Sequence, residues 1–209
     1  MTETPANPQP AHVPTLNIAN VLTVLRIVMV PFFIWALVAD DKDYGFMRWV
    51  AVAIFAVAMY TDKLDGDLAR SRGLITNFGK IADPIADKLL TGSALVMFSI
   101  LAELPWWITI VILVREWGIT AVRFVVIRYG VMAASRGGKL KTVLQTAAIL
   151  LYLLPWTHTI DWLHVVAFMV MLLALAITVI TGLDYLVKAW TLRAAATGPN
   201  PGSAAEKDQ

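Results

Sequence analysis

The chain reads as an all-α, polytopic integral membrane protein with six transmembrane helices and both termini in the cytoplasm. Three observations predict this class. Hydrophobic residues make up 58% of the 209 positions and charged residues only 15%, a bias that soluble domains do not show. The apolar residues come in blocks at 20–39, 47–68, 83–102, 106–129, 139–157 and 162–188, each near the roughly 20 residues that cross about 30 Å of hydrocarbon. Of the 17 basic residues, only Lys42 and Arg48 fall in loops after odd-numbered blocks. Lys63, Arg70, Arg72, Lys80, Lys88, Arg128, Arg136, Lys139, Lys141, Lys188 and Arg193 lie on the other side. By the positive-inside rule that side faces the cytoplasm, which predicts a multi-pass protein of the cell membrane.

Taken in order, residues 1–14 are Pro-rich and polar, so a disordered lead-in is expected before a membrane domain at 15–192. A short interfacial helix or turn at 15–20 feeds the first block. No basic region precedes that block and no small-residue cleavage pattern follows it, so it reads as a retained helix. Asp40, Asp41 and Asp43 read as a solvated outer loop.

The second block has about 13 apolar residues, Trp49 to Thr61, which make roughly 20 Å of helix. The third has about 14 beyond Lys88, from Leu89 to Ala102. Neither run spans the bilayer alone, so each helix must continue through its acidic end. Pro84 then falls in a first turn, where proline is tolerated. The fourth block starts after Pro105 and meets Arg115 and Glu116 after about ten residues, then Arg123 two turns on. The fifth opens with Lys139 and Lys141.

Trp106, Trp107, Trp156 and Trp162 read as an outer aromatic belt. His12, His158 and His164 lie in the lead-in or on the outer side, away from any site. Residues 193–209 are Pro/Gly/Ser-rich and read as a disordered tail. No fixed-period repeat is evident, which argues against the duplicated halves common in transporters. There is no cysteine, so disulfides, thiolate metal sites and cysteine nucleophiles are excluded. No nucleic-acid partner is expected.

The chemistry concentrates between residues 62 and 87. Ionised carboxylates cost roughly 2.5–3.5 kcal/mol each at the centre of a membrane helix, yet Asp62, Asp65, Asp83 and Asp87 all sit at the ends of short apolar runs. Asp62 and Asp65 are three apart and Asp83 and Asp87 four apart, so each pair shares a helix face. Oxygen ligands without His or Cys suit a hard cation, Mg²⁺ or Mn²⁺. Four carboxylates suit two ions, a recurring device in phosphoryl transfer. Gly66 opens the backbone beside Asp65 to a ligand, and Arg70 lies one turn on, able to grip a phosphate. Asp67 falls off this face and reads as solvated. The bland alternative is an interfacial lattice in which these acids pair with Lys63, Arg70, Arg72, Lys80 and Lys88.

Asp62-x2-Asp65-Gly66-x2-Ala69-Arg70-x8-Gly79-x3-Asp83-x3-Asp87 matches, without departure, the signature of the CDP-alcohol phosphotransferases. The chain is similar to that family over roughly residues 15–150. Asn17-Ile-Ala-Asn20-Val-Leu-Thr23-Val-Leu-Arg26, Arg115-Glu116, Arg123 and Gly138-Lys139-Leu-Lys141-Thr142-Val-Leu-Gln145 most resemble the branch that uses glycerol 3-phosphate.

The resemblance implies that Asp62, Asp65 and Asp83 hold the metal pair. Asp87 would join them and act as general base. Gly66, Ala69 and Arg70 would contact CDP-diacylglycerol, with Thr76 a weaker phosphate contact, and Asn20, Thr23 and Arg26 would lie on the donor side. A homodimer is also implied. An acceptor carrying its own phosphate needs cations, and Arg115, Arg123, Lys139 and Lys141 are the candidates. Glu116 is expected to orient a basic residue, Arg123 sharing its face. Another acceptor alcohol would leave the aspartate site unchanged. The competing class, a divalent-cation transporter, needs acids on both sides or at mid-depth. Prenyltransferases usually space their aspartates differently.

Overall fold

The computed structural model describes residues 17–71, 76–126 and 136–197, with side chains except at 68–70, 77, 80, 123–126, 136, 137 and 192–197. Every element among them is helical: α1 Ile18–Asp40, α2 Phe46–Ser71, α3 Asn77–Ile100, α4 Trp106–Val126, α5 Arg136–Leu153, the single turn α6 Trp156–Thr159, and α7 Asp161–Thr197. The six long helices correspond to the six predicted blocks. The expected lead-in at 1–14 lies outside the described residues. The helix start expected at 15–20 falls at Ile18, with Asn17 as N-cap accepting from the Asn20 amide, as a short polar side chain does at that position. α7 continues to Thr197, so the tail expected from 193 begins as helix.

The third helix differs most from expectation. It begins at Asn77, capped by Thr76, so Pro84 lies two turns inside it rather than in its first turn. There it leaves the carbonyl of residue 80 without its helical donor. The early start carries the helix through Asp83 and Asp87, as the short apolar run beyond Lys88 required.

The core is continuous through the bundle, with Phe33 and Leu37 of α1, Phe55 of α2, Leu90 and Phe98 of α3, Ile108 of α4, Ile149 of α5 and Met171 of α7. α1 packs on α2 and α3, and α7 on α4 and α5. Large apolar side chains also point outward, including Phe32, Trp35, Leu173 and Ile180. A helix apolar on all sides needs an apolar surrounding. Among the described residues, two stretches are long and apolar enough by themselves to cross a membrane, Ile18–Asp40 and Asp161–Thr191. The others carry charge into one half.

At the end formed by the α1–α2, α3–α4 and α5–α7 connections, charges are buried. Arg48 was expected in a loop; it stands inside α2 and is fully buried. It donates to Glu103 at 2.6 Å and to the carbonyls of Tyr152 and Leu153 at 2.8 and 3.1 Å. Asp40, expected to be solvated, is 3% exposed and lies 3.9 Å from Arg48. Its other carboxylate oxygen accepts from the Gly45 amide. The acid is buried because the loop at 41–45 folds back over the arginine, with Arg48 over the Tyr44 ring and Tyr44 stacked on His158.

Replacing Arg48 by Met leaves Glu103 and Asp40 buried without their partner and is expected to cost about 3–5 kcal/mol, read as loss of helical signal on heating in detergent. Burial holds His158 below its ordinary value; Arg48 and His164 push the same way, against the Tyr152 carbonyl and Glu103. The unfolded chain therefore binds the proton more readily, and His158 withdraws stability as pH falls through about 6.5. The expected check is a Tm that drops less between about pH 8 and about pH 5 in His158→Gln than in the parent.

Candidate active site

At the opposite end, α1 turns one polar face toward α2 and α3. Asn20, Thr23 and Arg26 repeat every three residues, so they stack on one side of the helix. The Asn20 amide donates to Thr76 Oγ1 at 2.9 Å, and the same oxygen caps α3 through the Gly79 amide at 3.0 Å. Gly79 permits this approach: a Cβ there would lie 3.0 Å from Asn20 Oδ1 and 3.3 Å from Thr76 Oγ1. One turn on, Thr23 donates to Asp83 at 2.5 Å. A further turn on, the fully buried Arg26 guanidinium pairs with Asp62 at 2.5 Å and with Asp65.

Asn20, Thr23, Arg26 and Thr76, expected on the donor side, do not line the cavity described next. Thr23 and Arg26 hold aspartates of its wall, and Asn20 and Thr76 join α1 to the start of α3. Of the lattice partners considered for these acids, the side chains of Arg70, Arg72 and Lys80 lie outside the described residues; Arg26, from a different helix, pairs with Asp62 and Asp65.

In front of the aspartates is a cavity of about 870 Å³. Asp62, Asp65, Gly66, Asp83 and Asp87 form one wall, and Arg115, Glu116, Lys139, Lys141 and Lys188 line it from α4, α5 and α7. Glu116 joins the cations: Lys141 donates to it at 2.5 Å and Arg115 at 2.8 Å, with Lys88 at 3.8 Å. Arg123, its expected companion, has a side chain outside the described residues, as do Ala69 and Arg70. Lys139 is exposed at the rim. Arg115 also donates to Thr181 of α7 at 2.8 Å.

Sequence reasoning passed over α7, which adds Thr181, Asp184, Tyr185 and Lys188 to the lining. The available signal was local: polar residues recur at 181, 184, 185 and 188 inside an otherwise apolar block, on the spacing of one helix face.

Among the described residues, no three carboxylates or histidines gather closely enough to hold one metal ion. Arg26 draws Asp62 and Asp65 together, while Thr23 holds Asp83. The donor set nonetheless fits a hard divalent cation: four carboxylates on one wall, with no sulfur or nitrogen among them.

Residues 16–183 match the model of the CDP-alcohol phosphatidyltransferase family. The chain belongs to that family. Among its relatives is a "probable phosphatidylglycerophosphate synthase" of Mycobacterium tuberculosis, 53% identical over 83% of this chain and 81% of that protein. The CDP-diacylglycerol–glycerol-3-phosphate 3-phosphatidyltransferase of Bacillus subtilis is 34% identical over 83% of this chain and 95% of its own length. That of Salmonella paratyphi A is 34% identical over 81% and 93%.

Arg26→Met is expected to lower the Tm in detergent by leaving Asp65 buried and unpaired. The loss should fall below the roughly 3–5 kcal/mol of a fully buried pair, because Asp62 is 39% exposed.

Proposed function

We infer that this chain transfers the phosphatidyl group of CDP-diacylglycerol to glycerol 3-phosphate, forming phosphatidylglycerophosphate and CMP in phospholipid synthesis. The observation that carries this reading is a single cavity with an acidic wall facing a basic one. Relatives at 53% and 34% identity whose names state this chemistry support it.

Held by Asp62, Asp65, Asp83 and Asp87, two divalent ions, Mg²⁺ or Mn²⁺, would neutralise the diphosphate and the departing CMP. Gly66 lets the nucleotide approach the α2 backbone, beside Ala69 and Arg70. Arg115, Lys139, Lys141 and Arg123 take the phosphate of the acceptor. Asp87 accepts the proton of its hydroxyl, whose oxygen bonds to the phosphatidyl phosphorus as the bond to CMP breaks. Thr23 and Arg26 act from behind, fixing the orientation of Asp83, Asp62 and Asp65.

The same reading places six helices across the membrane, with both termini and the cavity on the cytoplasmic side. The short apolar runs of α2 and α3 require their acidic ends to lie at the inner interface. Two copies form the working unit, as the family implies.

With CDP-diacylglycerol and Mg²⁺, CMP release is expected from glycerol 3-phosphate and not from inositol phosphate, serine or phosphatidylglycerol. Turnover only with another alcohol would overturn the acceptor while leaving the reaction class intact. Asp87→Asn should lower kcat by about 10²–10⁴ while the donor still binds; full activity would remove Asp87 as the base.

A further inference from the structure

Arg115 is the most constrained cation of the basic wall, and much of the constraint comes from α7. One guanidinium nitrogen donates to Glu116, on its own helix, and the other to Thr181 Oγ1 on α7, each at 2.8 Å. The Thr181 hydroxyl spends its own proton on the Ile177 carbonyl at 2.7 Å, so its oxygen is left to accept and cannot turn to donate. The next residue is the buried Gly182. A Cβ there would stand 3.0 Å from both Cγ and Nε of Arg115.

Glycine costs about 1 kcal/mol relative to alanine inside a helix. Here the missing side chain is what lets α7 lie flat against the arginine stem. Arg115 Nε is buried there with no hydrogen-bond partner, so the stem is held by packing and the head by its two outer nitrogens. A shift of the stem would carry the head with it.

We propose that Thr181 and Gly182 are positioning residues that set the affinity for the acceptor's phosphate by aiming Arg115 into the cavity. The proposal rests on the reading of Arg115 as a ligand of that phosphate. α7 thereby serves as the specificity element for the anionic end of the acceptor, although it faces the aspartates from across the cavity. The proposal concerns binding of the acceptor and leaves the donor and the reacting atoms to α2 and α3.

The test is steady-state kinetics of the purified full-length protein, varying glycerol 3-phosphate and CDP-diacylglycerol separately. Thr181→Val keeps the shape and removes the acceptor oxygen, and Thr181→Ser restores it. Thr181→Val and Gly182→Ala are expected to raise KM for glycerol 3-phosphate about tenfold or more, the scale of a lost hydrogen bond to a charged group. Their KM for the donor and kcat at saturating acceptor should change less than about threefold. Thr181→Ser should stay near the parent.

An unchanged acceptor KM in Thr181→Val would overturn the proposal. So would an equal loss in Thr181→Val and Thr181→Ser, since a merely structural role would give that. Arg115→Gln separates the two levels. If it raises the acceptor KM and Thr181→Val does not, only the positioning role fails. If Arg115→Gln leaves the acceptor KM unchanged, the underlying reading of Arg115 fails as well.

Discussion

The pairing of Arg26 with Asp62 and Asp65 is the interaction on which the inner half of this molecule is built. A guanidinium with no exposed surface cannot be left alone in an apolar bundle, and neither can carboxylates beside it. Meeting both needs at once fixes the relation of α1 to α2. Thr23 then reaches Asp83, and Asn20 reaches the cap of α3. Three residues at three-residue spacing thereby hold α2 and α3 in register through their polar ends, where the hydrophobic core no longer does so. Three acids of the cavity wall, Asp62, Asp65 and Asp83, are held from behind by α1.

The two walls differ in the sign of the side chains they present to the cavity. Behind the acidic wall Arg26 pairs with Asp62 and Asp65, and Thr23 holds Asp83. Across the cavity one carboxylate, Glu116, gathers Arg115 and Lys141, and Lys88 approaches it from α3. Under the proposed function, a hard cation would meet the first wall and the phosphate of the acceptor the second.

Much of this was legible in the chain. The apolar blocks corresponded to the long helices, and the short runs before Asp62 and after Lys88 required helix to continue through the acids, as α2 and α3 do. The spacing of the four aspartates put them on shared faces lining one cavity. What could not be read was partnership across helices. Arg26 was placed on the donor side through the family resemblance, and nothing local says which way α1 is rotated or that it pairs with Asp62 and Asp65. Asp40 looked solvated because three acids in a loop usually are, and only the fold brings Arg48 beneath it. Pro84 misled by its type: proline is common in first turns, but Thr76 and Gly79 start the helix earlier. α7 was passed over because its polar residues are thinly spaced among apolar ones.

The two ends of the bundle show what turns a buried charge into a functional one. Arg48 and Arg26 are both fully buried, and both pair with two carboxylates from other parts of the chain. Around Arg48 the surroundings close: backbone carbonyls of Tyr152 and Leu153 accept from its Nη2 and Nε, and the Tyr44 and Phe98 rings lie against it. Around Arg26 they do not close, since Asp62 is 39% exposed and opens with Asp83 and Asp87 onto the cavity. A buried arginine thus stabilises at either end, but only where its carboxylates also face space does it become the support of a site. The difference lies in what stands on the far side of the acids, a folded loop at one end and a cavity with a basic wall at the other.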